Sequence, residues 1–158
     1  MIANKSPLKW EKFGILNWEL NFIEPQNPGD KISPTKLFEE YQIDIDFHHA
    51  NVSEHLLQVL LSIGINDIEE PKHGYRIFVE SVGIFDLSDV LKLEEGPRQN
   101  LKIFATTNLM IGRVRGLIPT LSSQAPFGAY QLPSIDLNDL INQKRDAVEK
   151  NSPSDSEE

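Results

Sequence analysis

Four histidines, at positions 48, 49, 55 and 73, are the side chains best suited to chemistry in this chain of 158 residues. His48 and His55 flank a turn that follows a face carrying Asp44 and Asp46, so an imidazole–carboxylate metal site can be drawn there. Neighbouring residues of a strand point to opposite faces, however, so His48 and His49 do not join one site. The plainer reading is a solvated strand face running into a polar turn. Asp44-Ile45-Asp46 has the outline of a metal–nucleotide motif, but any alternating exposed strand produces that pattern. Ser53 and His55 have the types of a nucleophile and its base, yet no Gly-x-Ser-x-Gly elbow surrounds the serine, which reads as a turn residue. No glycine-rich phosphate loop is present. The chain has no cysteine, which excludes disulfides, thiolate metal sites and a cysteine nucleophile. The sequence therefore predicts no catalytic centre, no metal and no cofactor.

Function must then reside in surfaces. The formal net charge is −9, which repels nucleic acid and anionic membranes and attracts basic partners at long range. The N-terminus lacks an apolar run of signal-peptide length. No window approaches the ~18 apolar residues of a membrane span, so no direct membrane insertion is expected. The expectation is one domain in a cytoplasmic protein.

The elements follow from periodicity. Residues 1–13, with Trp10 and Phe13 among charges, have no clear period and read as a flexible arm. From Ile15 to Ile23, Leu16, Trp18, Leu20 and Phe22 alternate with Asn17, Glu19 and Asn21, the pattern of a half-buried strand. Pro25, Pro28, Gly29 and Pro34 punctuate a long loop that ends near Leu37 and Phe38. Strands are predicted over 40–48, with Tyr41, Ile43, Ile45 and Phe47 on one face, over 55–65 and over 75–87. Short connections imply an antiparallel meander, and Gly83 marks a bulge or a close approach. Past Gln99 the period moves towards 3.6. Val114, Leu117, Ile118 and Leu121 define a helical stripe, with a kink expected at Pro119. Asp136 caps a short final helix carrying Leu137, Leu140 and Ile141. Residues 146–158 are expected to be a disordered acidic tail. The fold class is α+β: a four-stranded antiparallel sheet, a long helix and a short C-terminal helix.

Two helices cover a sheet poorly, and Leu56 and Leu60 make the second face of the third strand apolar. Other copies of the chain are expected to complete the burial. Gly112 and Gly116, four apart on the helix, permit close approach at such an interface. Trp10, Phe13, Trp18, Phe22, Phe38, Phe127 and Tyr130 cluster around loops, where aromatic side chains line grooves for extended segments or close a core.

At three places the residues resemble the SecB family of export chaperones. Val82-Gly83-Ile84-Phe85 is similar to that family's Gly-Gly-Ile-Phe strand end. Asn108-Leu109-Met110-Ile111-Gly112-Arg113-Val114-Arg115 resembles its helix start, with Gly112 in place of a proline and Arg113 in place of an aromatic. Phe127, Leu132-Pro133, Ile135-Asp136-Leu137 and Leu140 resemble its closing pattern. The resemblance spans roughly residues 14–145. It implies a homotetramer, a dimer of dimers, that holds unfolded preproteins in long apolar grooves without ATP, at about 25 cal/mol per Å² of apolar surface buried. In that family a fourth-strand glutamate docks the SecA motor. Its position falls at Phe78 here, with Glu80 two residues along on the same face as a substitute. Some SecB-like proteins serve an antitoxin instead, which is the alternative reading; a non-chaperone assembly module is a third. Apolar character at loop and helix edges selects Trp18, Phe22, Phe38, Tyr41, Leu121, Phe127, Leu132, Leu137 and Leu140 as client-binding residues.

Overall fold

Four strands precede a long helix and a C-terminal helix, in the order expected, with a further helix between the first two strands. The computed structural model describes residues 1–27, 29 and 33–151. Four strands, β1 (Lys9–Ile23), β2 (Ile43–Asn51), β3 (Leu56–Ile65) and β4 (Gly74–Asp86), form one antiparallel sheet. The helices are α1 (Pro34–Glu39), α2 (Glu95–Gln99), α3 (Thr106–Ser122) and α4 (Leu137–Asn151). A 3-10 turn at Val90–Lys92 precedes α2, and a π-helical stretch, Asn100–Ala105, joins α2 to α3. The architecture is thus α+β, with a long helix and a C-terminal helix on a four-stranded sheet.

The sheet is not a simple meander. β2, β3 and β4 follow one another, but β1 lies beside β4, giving the order β1-β4-β3-β2. This is a Greek-key arrangement. The long connection after Ile23 frees β1 from its sequence neighbour. Trp18, Leu20 and Phe22 then stand opposite Val79, Ile77 and Tyr75.

The first residues are no loose arm from Lys9 onward. Lys9 pairs with Asp86 and Phe13 with Gly83. Trp10 stacks on Phe85 with ring centroids 5.4 Å apart. Lys9 also reaches Asp89 at 3.0 Å. Register shifts between Trp10 and Lys12 and between Ile15 and Asn17 hide the strand's period. Beside the second shift, Leu16 is 56% exposed rather than packed with Trp18.

One face of the sheet is covered. Leu57, Val59, Leu61, Ile63 and Ile65 of β3 and Tyr75, Ile77, Val79 and Phe85 of β4 are buried beneath α3. The helix answers with Met110, Ile111, Val114 and Ile118. Leu117 is only half-buried and Leu121 is exposed, so the expected stripe is rotated towards the N-terminal side. The helix runs through Pro119 to Ser122. Gly83 is a point of close approach: a Cβ there would lie 2.4 Å from the Met110 Sδ. Gly112 and Gly116 open onto free space.

The prolyl loop contains a helix, α1, with Pro34 in its first turn and Leu37 buried. Pro28 and Ile32 of that loop lie outside the described residues, as does the tail from 152 to 158. The final helix is not short. It has 15 residues and includes 146–151, expected as part of the tail. Among the described residues no helix is long and apolar enough to cross a membrane.

Candidate functional site

The connection carrying α1 and the irregular segment 126–136 meet at one end of the sheet. Between them lies a cleft of about 490 Å³ lined by Phe38, Tyr41, Ile43, Phe127, Ala129 and Pro133, with Glu39 and Gln131 at its rim. Its rings are mutually packed. Phe38 lies 5.6 Å from Tyr41, 5.4 Å from Tyr75 and 5.2 Å from Tyr130. Phe127 meets Phe22 edge-on at 5.4 Å. Aromatic pairs in such geometry are worth about 0.5–1.5 kcal/mol beyond area burial.

The hydroxyls of Tyr41 and Tyr75 at this end have backbone partners. Tyr41 donates to the His73 carbonyl at 2.9 Å and accepts the Tyr75 N–H at 2.7 Å. Burial pushes the phenols of Tyr41 and Tyr75 up and that of Tyr130 to about 12, so all three stay neutral at ordinary pH.

The cleft continues along β2. Ile43, Asp44, Ile45, Asp136, Asp139 and Leu140 line an acidic middle section of about 260 Å³. Beyond it Phe47, Ile103, Ile141 and Val148 form an apolar hollow of about 470 Å³, edged by His48, His49, Lys144 and Arg145. Lys144, on the edge of this hollow, bonds to the Asp46 carboxylate and lies 5.9 Å from the Phe47 ring centroid.

β2 is an edge strand, and its backbone phase is fixed. The Asn66 N–H donates to the Gln42 carbonyl at 2.8 Å, and Val52 pairs with Leu56. Even-numbered residues of β2 therefore bond to β3, while the amides of Ile43, Ile45, Phe47 and His49 point outward. The side chains of the same four residues line the clefts. One strand thus offers an outward backbone edge and an apolar floor together, with the Phe47 N–H already held by the Asp46 carboxylate at 2.9 Å.

His49 anchors the far end. Thr106 Oγ1 donates to the Lys102 carbonyl at 2.7 Å and Thr107 Oγ1 to that of Ile103 at 2.7 Å. Their lone pairs are left to accept the His49 Nε2–H, 3.0 Å from Thr106 Oγ1 and 3.3 Å from Thr107 Oγ1. Burial, helped by His48 and Lys102, lowers the His49 pKa to about 4, so the ring is neutral. His48, on the opposite face, is exposed. Among the described residues no group of three or more histidine, aspartate or glutamate side chains is placed to hold a metal. Ser53 accepts the Leu56 N–H at 3.2 Å, a turn contact.

The predicted residues divide into four sets. Phe22, Phe38, Tyr41 and Phe127 converge on the aromatic cleft, and Leu140 lines the acidic section. Leu132 and Leu137 are buried in the core beneath. Trp18, opposite Val79, and the exposed Leu121 line none of these clefts. Glu80 stands on the uncovered sheet face, between Asn17 and Ser62, in a shallow depression with Asp46, His48 and Leu60. Sequence reasoning missed Ile43, Phe47, Ile103, Ile141 and Val148 as lining. Their only signal was apolar character on an edge strand and on helices, which a core residue shares.

This fold is SecB-like. A Mycobacterium tuberculosis SecB-like chaperone, solved in complex with a peptide from an antitoxin, superposes with a TM-score of 0.52 over 81% of this chain and 90% of that one, at 12% identity. A Streptococcus agalactiae protein of unknown function aligns over 80% of this chain and 97% of its own at 9% identity, with a TM-score of 0.40. No protein-family model and no curated protein matches the sequence.

Proposed function

We propose that the protein is an ATP-independent chaperone, a holdase, that binds extended segments of unfolded polypeptides. The observation that carries this reading is the outward backbone edge of β2 running above a cleft floored by Ile43, Ile45 and Phe47. An extended segment laid there gains main-chain hydrogen bonds from the edge and side-chain burial from the pockets. Phe22, Phe38, Tyr41, Phe127 and Leu140 contact the client. Leu132 and Leu137 hold the floor in place, and Trp18 and Leu121 act at its margins. The likeness to a SecB-like chaperone holding a peptide supports a peptide client.

The apolar residues of the uncovered sheet face, Leu56, Leu60, Phe78, Val82 and Ile84, and the open glycines of α3 favour a homotetramer built as a dimer of dimers. The protein works in the cytoplasm, receives preproteins for export, and passes them to SecA through the face that carries Glu80. A second reading, a chaperone dedicated to one antitoxin, is favoured by the antitoxin peptide in the mycobacterial complex.

The test is aggregation suppression of a chemically unfolded protein, without nucleotide, with mass measured by light scattering. A tetramer that suppresses aggregation of varied clients near stoichiometry supports the general holdase. A tetramer active on a single client supports the dedicated chaperone. A species that suppresses nothing overturns both.

A further inference from the structure

The outer wall of the aromatic cleft, residues 126–133, has no regular secondary structure, yet side chains pin it at three points, beside the bond from the Gly128 N–H to the Ala125 carbonyl at 2.9 Å. Tyr130 N–H donates to Ser122 Oγ at 2.8 Å. Arg115 Nη2 donates to the Pro133 carbonyl at 2.7 Å. The third point is a single phenol. Tyr75 Oη accepts the Phe127 N–H at 2.6 Å and donates to the Gly128 carbonyl at 2.9 Å. The Tyr75 residue is fully buried, with its ring 5.4 Å from Phe38 and 6.1 Å from Phe127. It therefore stands between the two walls and behind the space a ligand would fill.

Building on the client-groove reading, we propose that the Tyr75 hydroxyl is a positioning group for that groove, setting the height of Phe127 above Phe38. It touches no client. One oxygen holds both a donor and an acceptor of the same turn, so it fixes the turn's orientation as well as its distance. The turn is able to offer both groups because Gly128 has φ +76°. Burial keeps the phenol protonated and donating. Without the oxygen, the Phe127 amide and the Gly128 carbonyl lose their protein partner. The wall then fluctuates in the free protein, and each binding event must order it again.

The experiment is a double-mutant cycle in the full chain between Tyr75→Phe and Phe127→Ala, read as affinity for a labelled, unstructured ten-residue peptide containing one tryptophan. Amide exchange is followed in parallel. The expected result is an unchanged assembly mass and a roughly tenfold loss of affinity in Tyr75→Phe. That loss disappears in the Phe127→Ala background, because the oxygen acts only through Phe127. The Phe127 amide exchanges at least about tenfold faster while β3 amides keep their rates. Wild-type affinity in Tyr75→Phe, or the same loss in both backgrounds, overturns the assignment and leaves the groove reading standing. A wild-type protein that binds no such peptide overturns the groove reading and this role with it. Should Tyr75→Phe fail to fold, Gly128→Ala strains the same turn with open space around the new Cβ and gives the same test.

Discussion

Single side chains decide the behaviour of the cleft more than its volume does. Phe38 and Phe127 face each other across it, and each is expected to act as an anchor: Phe38→Ala or Phe127→Ala should cost about 2 kcal/mol, roughly 30-fold in client affinity by fluorescence titration. Unchanged affinity in both would move the site elsewhere. His49 carries a pH signature. Its folded pKa, about 4, lies below the 6.5 of the unfolded chain, so the native state binds fewer protons between these values. Its contribution to stability is complete above pH 6.5 and is lost as pH falls towards 4. Thermal melts from pH 7 to 4.5 should show this decline in the wild type and a shallower one in His49→Gln. Gly74, at φ +101°, would place a Cβ 2.1 Å from the Tyr41 hydroxyl. Gly74→Ala is therefore expected to lower the urea midpoint by several tenths of a molar or more, given typical denaturant slopes of about 1–3 kcal/mol per molar.

Elements were legible to different degrees, for physical reasons. β2 and β3 alternate cleanly because one face is buried, and both were read within a few residues. β1 was read from Ile15 only, since two bulges in its first half break the period that identifies a strand. α1 had its signal, Ser33 before Pro34, but lay inside a run of prolines that argued for loop. The pairing of β1 with β4 was beyond a single sequence, because alternation fixes which residues face the core and not which strand lies alongside. The candidate site shows the same limit. Phe38 and Phe127 stand out as loop aromatics and line the cleft, whereas Tyr41, Leu132 and Leu137, chosen on the same apolar character, are buried in the core. Packing strength differs accordingly between elements. Ile118→Ala, beneath α3 on β3 and β4, should cost about 2–5 kcal/mol in urea denaturation. Lys144→Ala, which breaks the partly exposed pair with Asp46 and removes the ammonium from the Phe47 ring, should cost less than about 1 kcal/mol.

At the scale of the whole molecule, charge and topology matter. A net charge of −9 draws in basic segments before any apolar contact forms. Raising ionic strength from about 0.01 to 0.15 M shortens the screening length from about 30 to 8 Å. In stopped-flow binding, the capture rate of a basic client should fall with that change while its release rate stays nearly constant. Equal salt response for an acidic client would argue against steering. The Greek-key order also sets a timetable. Lys9 finds its partner at Asp86, so the first strand synthesised cannot pair until the last strand of the sheet has emerged. Through that interval a 15-residue extended segment bearing Trp10, Phe13, Trp18 and Phe22 waits without a neighbour, and such non-local closure is slow. Pulse-labelled exchange during refolding should find β2 and β3 protected before β1. A nascent copy of this protein, for that interval, presents the kind of chain its finished siblings are proposed to hold.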